Sequence, residues 1–450
     1  MRKRLFASAM VLMGGFGVFA LIQDNFLWPS SSSEHVRLIR NTKPDTRNDD
    51  KHKLLAANRA LSGALPVTFP FREVGYLQAL QPAAAGYLFK VHKGRKLRVD
   101  FSRDKKDSVD IFFYLYELPA DSSLVGLRPV IVQRADHFTY EPAEGGRFFL
   151  RLYAESFTTV KYTLRFESSP SLHFPVAGAG NNAIGCYFGA SRGGGARKHL
   201  GIDIFAPYNT PVVASADGIV TRVTRDRLGG KVVWLREGRR GLYFYYAHLS
   251  KQLCRPGQQV EAGDTLGLIG QTGNAHSTDP HLHYGVYAGE FIDPYPYVYK
   301  AKEQPVFADS DVRRLGQWAR VKRNTLLRDA PSQLSPVHKD VPLHTMLHVT
   351  GYRQHWAEVR LADGYTGFIP RHQIEPAAKP IFGVTIHTPS RLTFSSGGTE
   401  PGASDTLQPG DALLVFGKVG KSLHVRSFTG QTGWIPQMHA SVVSSSVEYQ

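Results

Sequence analysis

Helical patterning is almost absent from this chain of 450 residues. No helix-rich segment occurs after residue 64, which excludes a helical bundle and predicts an all-β, multidomain protein. Cysteine is also scarce, because Cys186 and Cys254 are the only two, so at most one disulfide can form. Acidic side chains number 38 against 54 basic ones, and the formal net charge is +16. Such a charge often indicates nucleic-acid binding, but no nucleic-acid motif occurs, and we expect no nucleic-acid partner.

An apolar run, Leu5–Ile22, follows the basic start MRKR. Residues 1–22 therefore resemble a signal peptide with a weak cleavage site at Val18-Phe19-Ala20, or an uncleaved anchor just long enough to span a bilayer. Both interpretations predict export, to the periplasm and cell envelope or out of the cell. In an oxidising compartment a Cys186–Cys254 disulfide is the favoured expectation, and two buried free thiols are the alternative.

Five residues carry the chemistry of the middle of the chain, within the strings HLGID, YYAHLS and DPHLHYG: His199, Asp203, His248, His281 and His283. If these strings are strands, alternate side chains share a face. His199 and Asp203 then point the same way across Gly201, and His281 and His283 share a face while Leu282 turns inward. Two imidazoles and a carboxylate around an open fourth position make a catalytic zinc site, and two imidazoles remain for proton transfer.

The same strings, with FAPYNTPVVASADGIV and VEAGDTLGLIGQTGN, resemble the lysostaphin/LytM-type zinc endopeptidases over about residues 172–300. The resemblance implies an antiparallel β domain with an open groove and one zinc ion per chain, held by His199, Asp203 and His283. It also implies that His248 and His281 are catalytic, and that the substrate is peptidoglycan. Neither cysteine is expected to bind the zinc, because this ligand set is complete.

Proton transfer in this domain is expected to use histidine, because no HExxH motif with its helical glutamate base occurs. An imidazole with a pKa near ~6.5 can take the proton of a water at neutral pH. We expect His281 to be the base because it lies two residues from a ligand. His248 would then stabilise the oxyanion or donate to the leaving amine.

Four further polar residues near the motifs are expected to have ordinary roles. Asn209 replaces the glycine that is usual in the turn after Ala206-Pro207, and it tolerates the positive φ of such a turn. His276 is expected to be a solvated loop residue, with a place in the substrate cleft as the alternative. Asn181 and Asn182 are expected to be loop asparagines, although relatives can use an upstream asparagine to block the zinc.

The rest of the chain divides into four predicted segments. Residues 23–64 are a polar linker, and residues 65–169 read as an accessory β-sandwich. An internal repeat with an offset of 66 residues aligns TGFIP at Thr366 with TGWIP at Thr432. Its two copies, 313–377 and 380–443, resemble bacterial SH3-type modules and predict two small β-barrels. Trp434 is expected in a barrel core, whereas core and ligand platform are equally open for Trp356.

Three functions are consistent with this sequence. The first is a zinc-dependent endopeptidase that hydrolyses peptide bonds in peptidoglycan stem peptides or cross-links. The second is a non-catalytic envelope regulator of a cell-wall amidase, against which the complete ligand set argues. The third is a secreted protease acting on glycine-rich proteins of a competitor or host. The sequence identifies neither the bond that is cut nor the oligomeric state.

Overall fold

The computed structural model describes residues 60, 64–77, 83–103, 109–119, 128–156, 158–192, 194–301, 313–395 and 406–443. The predicted signal peptide or anchor, and nearly all of the predicted linker, lie outside these residues. Within the described part of the chain, no helix is both long enough and apolar enough to cross a membrane.

The first unit is a sandwich of two sheets. Its strands alternate between buried and exposed side chains, as in β4, where Leu97, Val99 and Phe101 face the core between polar neighbours. One sheet has the order β1-β3-β8-β5-β6, and the other contains β2-β9-β4-β7. The strands are β1 Leu65–Pro66, β2 Phe71–Leu77, β3 Ala83–Val91, β4 Arg95–Arg103, β5 Val109–Leu118, β6 Ile131–Arg134, β7 His137–Tyr140, β8 Gly146–Ser156 and β9 Val160–Pro170.

The second unit is built on an eight-stranded antiparallel sheet with the order β10-β13-β21-β17-β16-β15-β19, in which β22 also pairs with β21. A smaller sheet, β14-β20-β18, and the hairpin β11-β12 complete it. The strands are β10 Ile184–Cys186, β11 Ser191–Arg192, β12 Arg197–Lys198, β13 Ile202–Phe205, β14 Pro211–Val213, β15 Gly218–Asp226, β16 Gly230–Arg236, β17 Tyr243–Leu249, β18 Lys251–Gln252, β19 Gln259–Val260, β20 Thr265–Leu268, β21 His281–Tyr287 and β22 Phe291–Ile292. The short helices are two 3-10 turns, Asn181–Ala183 and Gly273–Ala275, and α1, Tyr295–Val298.

The C-terminal part consists of two copies of one β pattern, and this confirms the internal repeat. Strands β26, β27, β28 and β29 recur 66 residues later as β31, β32, β33 and β34 with the same lengths. Trp434 is 3% exposed, but it lies outside the hydrophobic core of the second copy, which contains its neighbour Ile435. It packs against His424 and against Trp318 of the first copy, so the predicted position in a barrel core is wrong. The strands are β23 Trp318–Val321, β24 Thr325–Arg328, β25 Val337–Val341, β26 Met346–Arg353, β27 Trp356–Leu361, β28 Thr366–Pro370, β29 Ile374–Pro376, β30 Phe382–Ile386, β31 Ala412–Val419, β32 Ser422–Ser427, β33 Thr432–Pro436 and β34 Ala440–Val442. A 3-10 turn precedes β29 and another precedes β34, at Arg371–Gln373 and Gln437–His439.

The sandwich and the first C-terminal copy share a sheet, which the sequence did not predict. Strand β2 pairs with β26 through Glu73↔Arg353 and Val74↔Tyr352. Glu73 is 1% exposed and accepts hydrogen bonds from the hydroxyls of Tyr87, at 3.1 Å, and Tyr162, at 2.5 Å. The Arg353 guanidinium lies 3.3 Å from the same carboxylate. The predicted first barrel is therefore continuous with the sandwich.

Candidate metal and catalytic site

Three predicted ligands meet at one point on the main sheet of the second unit. Asp203 on β13 and His283 on β21 are direct cross-strand partners, so their side chains share a face. His199 Nε2, Asp203 Oδ1 and His283 Nδ1 lie 2.9 Å from one another in all three pairs. His199 and Asp203 are 5% and 6% exposed, so the cluster is buried.

The strand interpretation of HLGID was partly wrong, because β13 begins at Ile202 and His199 lies in the preceding loop. His199 nevertheless reaches Asp203 because Gly201 allows close packing. A Cβ at residue 201 would lie 2.4 Å from the carbonyl oxygen of Tyr284 and 2.9 Å from Cε1 of His283. A residue with a side chain at this position would therefore collide with β21 beside the ligand His283.

The donor set fits a metal ion. The Nδ1–H of His199 donates to the carbonyl oxygen of Tyr187 at 2.9 Å, which leaves the Nε2 lone pair directed at the cluster. The lone pairs of three acceptor atoms only 2.9 Å apart repel one another, and a shared proton or cation removes this repulsion. Ligand atoms of a tetrahedral zinc ion with bonds of about 2.0–2.1 Å lie about 3.3 Å apart, so a small outward movement would accommodate the ion.

The electrostatics of the cluster favour a cation. Burial by itself would raise the pKa of Asp203, but the imidazoles of His199 and His283 outweigh it and hold this pKa well below its usual range. Burial lowers the pKa of His283, and this favours the neutral, metal-binding form of the ring. An ionised carboxylate and neutral imidazoles are the protonation states that a zinc or similar ion requires.

The two predicted catalytic histidines stand side by side next to this cluster. The rings of His248 and His281 are 5.0 Å apart, and His248 lies 5.9 Å from the ring of His283. The Nδ1–H of His248 donates to the backbone carbonyl oxygen of Thr272 at 2.9 Å, and the Nδ1–H of His281 donates to the backbone carbonyl oxygen of Asp279 at 2.8 Å. In both rings Nε2 is therefore left as a proton acceptor.

His248 is held in an unusual backbone conformation and in its neutral form. Its φ of 65° lies in the left-handed region, which is costly for a residue with a side chain and is found most often at functional sites. Burial, followed by the neighbouring His281 and His283, lowers the pKa of His248 to about 4. The ring is therefore neutral at physiological pH and can accept a proton.

Two neighbours of Asp203 were not predicted from the sequence, in which Cys186 was expected only to form a disulfide. The Arg192 guanidinium forms an ion pair with Oδ2 of Asp203, the oxygen that faces away from the two imidazoles. The same Nη2 lies 3.1 Å from the sulfur of Cys186, which is the cross-strand partner of Asp203 on β10. The donor atoms of Cys186, His199 and Asp203 lie within 4.8 Å of one another. No motif spacing links Arg192 to Asp203, and only the chain path brings them together.

The expected disulfide is wrong for this structure, because Cys186 and Cys254 are both free thiols. Cys186 lies on β10 of the main sheet, beside the candidate metal ligands. Cys254 follows β18 of the smaller sheet and packs against the hydrophobic core of the unit. Burial raises the pKa of the Cys254 thiol to about 11.

The loop residues have the ordinary roles that were expected. Asn209 has a φ of 68°, which confirms the positive-φ turn. His276 is exposed, with its Nδ1 3.3 Å from the carbonyl oxygen of Gly273. Asn181 exchanges two hydrogen bonds with the backbone of Lys300, at 2.5 and 3.0 Å, and it fastens the end of the unit instead of blocking the ligands. Asn182 is exposed.

Comparison with known proteins agrees with this geometry. The family model for peptidase family M23 matches residues 197–294, a range that contains all five predicted residues. This chain carries a peptidase M23 domain. The M23 domain defined in this way includes β13 and β21, which carry Asp203 and His283.

Three curated relatives are similar to the M23 domain. The L-Ala–D-Glu endopeptidase of Bacillus subtilis is 37% identical over 124 residues, covering 25% of this chain and 38% of that protein. A DD-carboxypeptidase/endopeptidase of Neisseria meningitidis serogroup B is 46% identical over 88 residues, and the peptidoglycan DD-endopeptidase ShyC of Vibrio cholerae is 36% identical over 88 residues. Each of these two matches covers 20% of both chains. The alignments therefore span two fifths or less of the relatives' own lengths.

Proposed function

We propose that this protein is a zinc endopeptidase that hydrolyses peptide bonds of peptidoglycan. The observation that carries the proposal is the buried triangle of His199, Asp203 and His283 donor atoms beside two histidines whose Nε2 atoms are free to accept protons. The names of the M23 relatives support the same chemistry and the same polymer. Their short coverage leaves the substrate of the whole chain as part of the proposal.

The proposed ligands are His199, Asp203 and His283. A zinc ion held there would polarise the scissile carbonyl and lower the pKa of a water molecule. Arg192 holds the second oxygen of Asp203 and so keeps Oδ1 directed at the imidazoles. The Tyr187 carbonyl fixes the tautomer of His199 in the same way.

His281 is the proposed general base, because its Nδ1–H donates to the Asp279 carbonyl oxygen and its Nε2 is left to accept a proton. Its ring packs against Phe205, with the ring centroids 5.1 Å apart. His248 is the proposed partner that stabilises the oxyanion or protonates the leaving amine. Since the pKa of His248 is about 4, this ring donates from Nε2 only after it has received a proton during the reaction.

The rim of the site is suited to a peptide backbone with small side chains. Large apolar side chains near the motifs are 37–54% exposed: Tyr187, Leu200, Phe205, Tyr208 and Leu228. Strand edges of the surrounding sheet can hydrogen-bond an extended peptide. Export, a membrane anchor in residues 1–22 and wall binding by SH3-like C-terminal copies belong to this proposal as well, and the net charge of +16 suits an anionic wall.

The test is mass spectrometry of purified peptidoglycan digested with the full chain, beside an Asp203→Ala variant. We expect new monomeric muropeptides only with the intact site, and their masses identify the bond that is cut. An exposed-histidine variant, His276→Ala, serves as the matched control and should produce the same fragments as the native chain. Peptidoglycan left uncut by zinc-loaded protein would contradict the proposal. Failure to retain zinc together with failure to cut would favour the amidase regulator.

A further inference from the structure

A groove of about 890 Å³ lies where the sandwich meets the second unit. The sandwich contributes residues around β2, β3 and β9, among them Phe69, Lys90 and Arg165. The second unit contributes α1, which directly follows the M23 domain, and the residues after it, among them Tyr295 and Tyr299. Domain junctions are frequent ligand sites because two rigid surfaces can form one concave wall.

The two walls of this groove are fastened to each other. Arg95 of the sandwich donates to the carbonyl oxygens of Ser168, at 2.7 Å, and Tyr299. A second link joins Arg240 of the M23 domain to Glu141 of the sandwich, with an Nη1–Oε1 distance of 2.7 Å. The groove is therefore formed in the protein by itself and does not require a ligand to assemble it.

The lining is strongly basic. Among the described residues that line it, the permanently cationic ones are Arg72, Lys90, Arg95, Arg165 and Lys300, and the one carboxylate is that of Glu167. Arg72 and Arg165 are cross-strand partners on β2 and β9, although like charges placed directly opposite each other are destabilising. Burial, followed by the charges of Lys90 and Arg95, lowers the pKa of His92 at the same groove.

Three of these cations are available to a ligand. Among the residues that the structure describes, Lys90, Arg165 and Lys300 form no ion pair, and all three are exposed. Arg165 also has a cross-strand neighbour on β4, Asp100. The Asp100 carboxylate is already bound by the Arg98 guanidinium, at 2.7 and 2.8 Å. These three cations are therefore able to bind an anionic ligand from solution.

Aromatic contacts connect the groove to the candidate metal site. The rings of Tyr295 and Tyr299 pack 4.9 Å apart, and Tyr295 also packs against Tyr187 with the centroids 5.4 Å apart. The carbonyl of Tyr187 accepts the hydrogen bond from His199. A polymer chain in the groove would thus lie one aromatic contact away from Tyr187, whose carbonyl orients the proposed ligand His199.

We propose that this groove binds an anionic glycan–peptide strand of peptidoglycan through the carboxylates of its stem peptides. This inference rests on the proposed function and assigns the sandwich a share in holding the substrate. The apolar lining contacts the uncharged parts of the strand, while Lys90, Arg165 and Lys300 pair with its carboxylates. The role of the groove is to retain a large polymer, and small soluble fragments do not need it.

The test compares two double variants of the full chain with equal changes in charge. Lys90→Glu with Arg165→Glu alters the groove, and Arg225→Glu with Lys251→Glu alters exposed cations of the M23 domain outside it. Sedimentation with peptidoglycan stripped of phosphodiester polymers is measured in an Asp203→Ala background, so that cleavage does not affect binding. Turnover of a soluble cross-linked muropeptide dimer is measured with Asp203 intact.

We expect the groove variant to bind the stripped polymer about tenfold more weakly than the control pair, because it loses two exposed ion pairs and adds two carboxylates that repel those of the strand. Both pairs should cleave the dimer at the native rate. Equal binding by the two pairs overturns the inference, and so does binding that requires the phosphodiester polymers. Absence of dimer cleavage by every protein refutes the proposed function, whereas the binding comparison still decides the role of the groove. If the glutamate variant does not fold, Lys90→Gln with Arg165→Gln should give a drop of about threefold.

Discussion

Replacement of Gly201 by alanine should damage the metal site through the backbone next to it. The added Cβ would lie 2.4 Å from the Tyr284 carbonyl oxygen and 2.9–3.0 Å from Cε1 and Nε2 of the His283 ring. Ordinary contacts between a carbon atom and its neighbours are about 3.5 Å, so β21 must shift by roughly 1 Å. Because Tyr284 O belongs to a central strand paired on both sides, the shift also disturbs the ladder that holds His283.

The clash has two expected effects, a loss of stability and a loss of zinc affinity. Overpacking of a well-packed site costs about 1–3 kcal/mol, and we take about 2 kcal/mol for a contact with backbone. Amide hydrogen exchange in β13 and β21 should then be about 30-fold faster than in the native protein. Displacement of a ligand ring should weaken zinc binding by about 10–100-fold, as other changes around metal ligands do.

The assay measures exchange in the metal-free protein and zinc affinity separately, so that loss of metal does not mimic loss of stability. Gly238→Ala is the matched control, because a Cβ there meets nothing within 4 Å. It should leave exchange and zinc affinity unchanged, or stabilise the turn slightly. Native exchange and native zinc affinity in Gly201→Ala would refute the packing argument.

Four further outcomes are expected. Asp203→Ala should lose both zinc and turnover while the fold is kept, and full turnover would disprove its role as a ligand. His281→Ala should retain zinc but lose about 10²-fold or more in kcat, with His276→Ala as a native-like control; release of zinc would instead reverse the roles of the HxH pair. Arg192→Ala should weaken zinc binding by about 10–100-fold in a competition titration, because Asp203 loses the partner of its second oxygen; unchanged affinity would argue against this role. Unfolded, unreduced protein should titrate two free thiols, and in the folded protein Cys254 should alkylate slowly at pH 8. Its pKa of about 11 leaves about one thiolate in 1000 at that pH, so the rate should rise about tenfold per pH unit up to pH 10.

The sequence predicted the parts of the site that depend on strand periodicity. His281 and His283 share a face because both lie within β21, and Leu282 between them is fully buried. The same rule failed for His199, which lies in a loop and reaches Asp203 through the space at Gly201. A two-residue period describes side chains only where the backbone is a regular strand.

Contacts that depend on the tertiary fold could not be predicted from the sequence. The pairing of Arg192 with Asp203 depends on the hairpin β11-β12. Cys186 lies on the main sheet, whereas Cys254 lies in the segment after β18 of the smaller sheet. The disulfide was predicted from the expected compartment and the number of cysteines. Neither contains information about the distance between the two cysteines, on which a disulfide depends. The repeat was accessible because apolar positions recur at a fixed offset, whereas the union of β2 with β26 involves only strand edges, which have no comparable signature.

The position of Glu73 limits where this chain can be shortened. Its carboxylate faces the interior of the sandwich, yet its cationic partner, Arg353, comes from a strand 280 residues later (353 − 73). A fragment that ends after the M23 domain retains every proposed ligand but keeps a carboxylate in the sandwich without its arginine, at a cost of about 3–5 kcal/mol. Such a fragment would be weakened at its N-terminal end by a deletion at its C-terminal end.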